Sequence, residues 1–562
     1  MKKISFVFNF AFLILNCTAQ TNVSGFINAN TTWNLSGSPY IVVGNTILSN
    51  GYTLTVDPGV EVKFDSAKSL QIDGELHAVG TSTQRIIFTS NQAVLAAGNW
   101  GKIQFSSLST GAVFDAGGNY LSGSIMKYCA VAYGGGLGYG AIFVNSSLYI
   151  SCCSINYSGA NGISSSGFVK TDSTSVRNCV GSGMSISGMS SPYCPYTITY
   201  DTLEYNANGG IVGTVNFPNC TNRWVHVTNC YFGFNSGSSA LFNVTKENIL
   251  IRENKFLNNS SSSSDGAAIS RVGGNSIIEC NLFLNNQSTS ISAIQLAGDQ
   301  NDTIRKNRFE DNVCTQFGSL IEIFVFCCGK KVISDNYFLN NSSPNGKLLF
   351  LRGWDSGNDI TQFFVTGNEF NNGLLGSEIY LYASAINPNL QFVNISNNNF
   401  LSDSVQYVIE NASSFNGPSM HADSNYWNST STQHIDSMIY DFFDNANYSV
   451  VYYSPILSSP VLLDTACSGN FQTGSTEVFN TGKEHLLIFP IPFTTQTTIR
   501  FSKEVHNAAF SLYNLLGEKV AETKGINGES FQFNRGNLPC GVYVFEVREK
   551  EKSIGRGKAV IY

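Results

Sequence analysis

ENKFLNN, residues 253–259, returns as CNLFLNN at 280, KNRFEDN at 306, DNYFLNN at 335, GNEFNNG at 367 and NNNFLSD at 397. With the aromatic as marker, Phe256, Phe283, Phe309, Phe338, Phe370 and Phe400 lie 27, 26, 29, 32 and 30 residues apart. A loose step of this size is that of a solenoid, in which each repeat buries its apolar face against the next. The pattern extends upstream through Val131, Ile155, Val176, Leu203 and Phe232, and downstream to Trp427.

The residue two before each marker runs Cys129, Cys153, Thr174, Asp201, Cys230, Asn254, Asn281, Asn307, Asn336, Asn368, Asn398, Asn425. All are small or polar. Asn tolerates the left-handed backbone of a tight bend. At a strand spacing of about 4.8 Å its amides can also hydrogen-bond along the stack. The spacing therefore predicts an Asn ladder at one corner, with the following aromatic turned inward onto its neighbours. About half a turn later GAIFVN (140), GIVGTV (210), SAIQLAG (292), SLIEIFVF (319), KLLFLRGW (347) and SEIYLYAS (377) alternate with period two, which predicts strands. Each repeat then holds at least two short strands, each pairing with its equivalent one turn on.

These motifs resemble the right-handed parallel β-helix family over roughly residues 25–455, and the ladder Asn254, Asn281, Asn307, Asn336, Asn368 and Asn398 carries the resemblance. The expected fold is all-β: a right-handed parallel β-helix over 20–455, then a small Ig-like β-sandwich. The resemblance says little about activity, because the scaffold hosts lyases, hydrolases, adhesins and proteins without catalysis. Open ends of such a solenoid need covers. LTVDPGVEVKFDSAKSLQIDGELHAVGTSTQRIIFTS (54–90) reads as the opening turns. HIDSMIYDFF (434–443) places Ile435, Met438, Ile439 and Phe442 at helical spacing, which predicts a capping helix.

Residues 456–483 read as a linker, and 484–562 as a second domain of strands and turns: FPIPF (489), TTIRF (497), SLYNLLGEKV (511), NLPCGVYVFEV (537) and GKAVIY (557). Pro490 and Pro492, Leu512-Tyr513 leading to Gly517, Leu538-Pro539 before Gly541 and Tyr543, and the strand with Lys558 resemble the type A sorting domain of the type IX secretion system of the Bacteroidota. Two positions depart from that pattern: Ile491 stands where Asn is usual, and Cys540 where a small non-thiol residue is usual. The resemblance implies type IX machinery as a partner and export across the outer membrane. It further implies removal of the domain, then linkage of the cargo to surface lipopolysaccharide or its release.

The N-terminus agrees with export. Lys2 and Lys3 precede the apolar run Ile4–Leu15, and small residues surround Ala19, so 1–19 reads as a signal peptide; Cys17 raises a lipoprotein alternative. No later run is long and apolar enough to span a bilayer as a helix. The net charge of −7 and the absence of Lys/Arg clusters argue against nucleic acid. Of 14 Cys, 13 follow Cys17's removal, an odd number whose pairing stays open; Cys152-Cys153 and Cys327-Cys328 lack zinc-site spacing. Buried filler is the plainer reading for most of them.

A cleft on such a solenoid would run along the outside of one sheet. Alternation puts Gln295, Glu322, Phe350 and Tyr380 on one outer line and Phe324, Arg352 and Tyr382 on the next, with Trp354 and Asp355 just beyond. Phe350, Trp354, Tyr380 and Tyr382 are candidate ligand contacts, because aromatic faces stack on sugar rings. Glu322, Arg352 and Asp355 are the candidate catalytic groups. The plainer reading is cross-strand packing with solvating charges. No Asp-Asp pair, Gly-His-Gly or Arg-x-Pro-Arg accompanies them. No cofactor or metal is expected: His421 and Asp423 lack a third ligand, and Asp302, Glu310 and Asp311 make only a weak calcium set. The expected protein is an exported, monomeric recognition or adhesion protein contacting a polysaccharide, surface glycan or other surface. The alternatives are a polysaccharide lyase or glycoside hydrolase, and a spacer without a ligand.

Overall fold

The computed structural model describes residues 20–464, 467, 486–489 and 496–561, apart from 116, 187–188, 191–194, 217–222, 243–246, 263–265, 299, 317, 326–328, 355–360, 385–391, 403, 414–419, 515–516, 540 and 551. The signal-peptide segment 1–19, Cys327-Cys328, Asp355, Pro490, Ile491, Pro492 and Cys540 therefore lie outside the described residues.

From Thr21 to Tyr452 the strands wind as coils and pair in parallel with their counterparts one coil on, apart from the small antiparallel hairpin of Val113–Phe114 and Tyr120–Ser122. The chain is a parallel β-helix. One coil shows the path. Asn248–Arg252 leads through a corner to Lys255–Leu257, a second corner leads to Ser260–Ser261, and Ile269–Val272 closes the coil before Ser276–Glu279 opens the next. The core is one continuous apolar column from Trp33 to Val451.

The repeated motif supplies both corners. Glu253, Cys280, Lys306, Asp335 and Asn397 have φ of 60°, 57°, 56°, 56° and 57°, and Gly367 has 67°. The left-handed residue is thus the one before the ladder Asn, not the Asn itself as expected from sequence. The reversal there turns the next side chain inward, where the Asn amide meets backbone. Asn281 Nδ2 donates to Ile251 O at 2.9 Å and to Asn307 Oδ1 at 2.9 Å, while its backbone N–H donates to the same Oδ1 at 2.8 Å. The same pattern joins Asn254, Asn307, Asn336, Asn368, Asn398 and Asn425. Each such bond is worth ~1 kcal/mol net, and leaving its partners unmade in this dry corner costs more.

The sequence reading missed a second ladder five residues on. Asn206, Asn235, Asn259, Asn286, Asn312, Asn341 and Asn372 are bonded in series at 2.9–3.1 Å. The preceding Asn258, Asn285, Asp311 and Asn340 again take φ of 53–54°. ENKFLNN therefore holds the bend and ladder residue of two corners, with one inward Phe between. Those rings stack from Phe232 to Phe400, with centroids 4.6–5.1 Å apart, and Trp427 ends the row at 5.0 Å.

At the far end the capping helix is shorter than its apolar spacing implies. It covers Thr432–Ser437, with Ser431 as N-cap and Ile435 buried. Ile439 lies instead in the strand Ile439–Tyr440, which pairs with Val405–Asn411 and extends the sheet. Sheet pairing wins over the helical pattern because a bonding edge is available there.

The segment expected to be a linker is, in its described part, pinned to the solenoid. Ser424 N–H donates to Pro455 O and Leu457 N–H to Asn425 O, at 2.6 and 2.9 Å. Val461 N–H donates to Asn399 Oδ1 at 2.8 Å, and Asn399 Nδ2 returns a bond to Val461 O at 2.9 Å. Asp464 pairs with Lys306 at 2.7 Å, and Cys467 forms a disulfide with Cys280. The strap thus runs back along the outside from the last coils to the coil of Asn281. Cys129, Cys152, Cys153, Cys179, Cys230 and Cys314 are free thiols, all but Cys152 fully buried.

The C-terminal domain is a small antiparallel unit of Leu486–Phe489, Gln496–Tyr513, Lys519–Asn534, Gly541–Glu549 and Lys552–Ile561. Register shifts bend the long second and third strands, so both halves close over a core of Ile499, Phe510, Leu512, Phe545 and Val547.

Candidate recognition face

The outer face predicted from alternation forms on the sheet of Ile291–Ala297, Ser319–Val325, Ser343–Trp354, Leu375–Ser384 and Val405–Asn411. Inward positions Ile294, Ile321, Leu349, Ile379 and Ile409 are buried. The next residue of each points outward, and the register aligns Ser270, Gln295, Glu322, Phe350, Tyr380, Glu410 and Tyr440 in one column. Two residues on, Ala297, Phe324, Arg352 and Tyr382 form the neighbouring column. Trp354 closes its strand opposite Ser384.

The face alternates aromatic rings with charges. Phe350 and Tyr380 meet edge to face at 5.1 Å. Arg352 lies 4.8 Å above the Phe324 ring. Lys347 Nζ lies 4.3 Å from the Tyr380 ring centroid and 3.7 Å from Glu410 Oε2. Tyr407 and Tyr440 continue the aromatic row at 5.0 Å. The sequence reading missed Lys347, Tyr407, Glu410 and Tyr440. Lys347 stood within the quoted KLLFLRGW, and VQYVIEN (405–411) repeats the alternation one coil beyond the last segment followed.

Two groups on this face, Glu322 and Tyr380, keep their protons more readily than in water. Burial raises the Glu322 carboxyl, opposed by a hydrogen bond from Gln295 and by the Arg352 charge. The Tyr380 hydroxyl is pushed up to about 12, first by burial and then by Glu410, Tyr448 and Tyr382, so at neutral pH it remains a donor. Tyr382 is 39% exposed, which leaves the edge of the face open to solvent.

The candidate cation ligands are not brought together. Asp302 bonds the buried Lys331 at 2.6 Å, and Glu310 bonds Arg308 at 2.8 Å. His421 instead lies beside Tyr452, with ring centroids 5.6 Å apart. Among the described residues no three His, Cys, Asp or Glu gather as a metal site, and no helix is long and apolar enough to cross a membrane.

In the C-terminal domain Gly517 takes φ +85° in the turn closed by its N–H to Asn514 O at 3.0 Å, a backbone that favours glycine. Tyr543 is buried and donates its hydroxyl to Pro539 O at 2.8 Å. Gly541 pairs with Ile561 and the Lys558 backbone with Val544, so these motif positions sit on the last hairpin.

Comparison with known proteins agrees with this domain. Residues 487–561 match the secretion system C-terminal sorting domain family. The chain thus carries a type IX sorting domain, and it is a secreted or cell-surface protein. A 55-residue stretch, 10% of this chain, is 44% identical to Protein bark beetle of Drosophila melanogaster and spans 2% of that protein's length. Among solved structures the chain is similar to the tailspike protein of E. coli bacteriophage HK620. A double mutant is 11% identical at TM-score 0.26, with 88% of this chain and 86% of that one covered. A mutant in complex with pentasaccharide is 12% identical at TM-score 0.22, over 88% and 86%.

Proposed function

We propose that the solenoid is a non-catalytic recognition module, displayed outside the cell, that contacts a glycan along the face from Gln295 to Tyr440. The observation that carries this reading is the unbroken outer column of Gln295, Glu322, Phe350, Tyr380 and Glu410, flanked by Lys347, Arg352 and Tyr382. Aromatic rings cover the apolar faces of sugars, and the interleaved amide, carboxylates and cations satisfy hydroxyl groups.

The spacing of the carboxylates supports recognition over hydrolysis. Glu322 and Glu410 are three coils apart in the column, about 14 Å at ~4.8 Å per strand. Glycoside hydrolysis needs two carboxyl groups about 5–9.5 Å apart. Asp355, the other candidate, lies outside the described residues.

The test is affinity electrophoresis of the full chain through plant, algal and microbial polysaccharides, with assay of new chain ends. Retention without new ends, lost in Tyr380→Ala, is the expected result. New ends that vanish in Glu322→Gln would make the protein an enzyme and overturn the proposal.

A further inference from the structure

The second corner changes character along the solenoid. Its left-handed position holds Asn258, Asn285, Asp311 and Asn340 in later coils, but Tyr133, Tyr157, Asn178, Tyr205 and Phe234 in earlier ones, with φ of 66°, 54°, 54°, 56° and 54°. Bulky residues are rare in this backbone region, and Asn or Asp is the ordinary choice. Core packing does not explain the aromatics: Tyr157, Tyr205 and Phe234 are 45%, 50% and 40% exposed.

Their arrangement leaves one gap. Tyr133 stacks on Tyr157 at 5.3 Å with planes 6° apart, and Tyr205 on Phe234 at 4.8 Å with planes 3° apart. The rings therefore lie across the solenoid axis and bury one face in each pair. Between the pairs stands Asn178, one coil from Tyr157 and one from Tyr205, as the corner bonds Tyr157 N–H to Arg177 O and Asn178 N–H to Glu204 O fix. Two coil steps separate the facing rings by about 9.6 Å. Two ring contacts of ~3.5–4.0 Å take up most of that width, and the remainder suits a puckered ring better than a flat one. Polar groups border the gap. Arg177 Nε and Glu204 Oε1 pair at 2.8 Å on the adjoining strands. The Tyr205 hydroxyl, raised by burial and then by Glu204, stays protonated as a donor.

We infer that the slot between Tyr157 and Tyr205, floored by Asn178, is a second binding site that takes one pyranose ring of a glycan between two aromatic faces. It lies on coils well before the Gln295–Tyr440 face and uses none of its residues, so it stands whether or not that face binds.

The probes are the methyl glycosides of glucose, galactose and mannose, followed by saturation-transfer NMR with the full chain. At least one should receive saturation on its ring protons. Tyr205→Ala should weaken it at least tenfold. Asn178→Tyr completes the aromatic stack and fills the slot, so it should abolish transfer while leaving the thermal transition at or above that of the unmodified chain. Each comparison is made in the Tyr380→Ala chain, so that the face proposed above contributes no transfer and the slot is read alone. Transfer that survives Asn178→Tyr overturns the inference. So does the absence of transfer to all three glycosides, including the case where N-acetyltryptophanamide takes the slot instead.

Discussion

The coils from Asn254 to Asn425 and those from Cys129 to Cys230 build the same corner from different side chains. In the later coils every ladder residue is Asn, which donates and accepts at once, so each amide serves two neighbours. In the earlier coils the ladder is Cys129, Cys153, Thr174, Asp201 and Cys230. Cys129 N–H reaches Cys153 Sγ at 3.3 Å, Cys153 N–H reaches Thr174 Oγ1 at 3.5 Å, and Thr174 N–H reaches Asp201 Oδ1 at 2.9 Å. The bend needs only an inward acceptor for the backbone N–H before it. The full amide network adds stability without being required for the path. The aromatics divide likewise: later coils stack Phe inside, whereas several earlier ones place Tyr and Phe on the corner outside.

Asp201 breaks this comparison most sharply. It is buried in an amide's place, and burial pushes its carboxyl from the ordinary carboxylate range up to about 8. Below about pH 4 both folded and unfolded chains hold the proton, and the stabilisation is complete. Between about 4 and 8 only the folded chain holds it, so stability falls as pH rises, then levels off. The slope approaches ~1.4 kcal/mol per pH unit and the loss ~6 kcal/mol. Denaturant titrations from pH 4 to 9 should show this fall, and Asp201→Asn should remove it by giving the early ladder the later chemistry.

Inside the later coils, Phe283→Ala opens a gap between Phe256 and Phe309 and should cost ~3–5 kcal/mol in chemical unfolding. Asn307→Ala strands the Asn281 N–H groups and Ile278 O. It should cost ~2–4 kcal/mol, whereas Thr174→Ala in the early ladder, whose hydroxyl makes only the longer bonds of 3.2–3.5 Å to Cys153 N–H, Ile150 O and Asp172 O, should cost ~1 kcal/mol. Equal costs would remove the distinction between the two regions. Cys467→Ser cuts the strap from Cys280 and should lower stability by ~2 kcal/mol. The loss should concentrate in the coils the strap crosses, measured as faster proteolysis near 455–464.

The solenoid was legible because its physics repeats. A bend, an inward amide and an inward ring recur within seven letters, and stacking multiplies the signal. The outer column of Gln295, Glu322, Phe350 and Tyr380 was legible for the same reason, since alternation alone assigns the side of a strand. The strap was not. Cys280 and Cys467 are 187 residues apart, and nothing local marks either as the other's partner. The left-handed residues were misplaced by one because Asn suits both the bend and the ladder, and the motif often carries two in a row. Tyr157 and Tyr205 escaped notice because aromatics at a corner look like strand residues until the register places them at the same corner two coils apart.

The most direct test of the recognition face is hydroxyl-radical footprinting of the full chain with and without a polysaccharide that retains it. Oxidation of Phe350, Tyr380, Tyr382 and Tyr407 should fall several-fold on binding, while the exposed Tyr52 and Tyr452 stay unchanged. If those four oxidise equally in both samples, the glycan does not lie on this face and the account of its function is wrong.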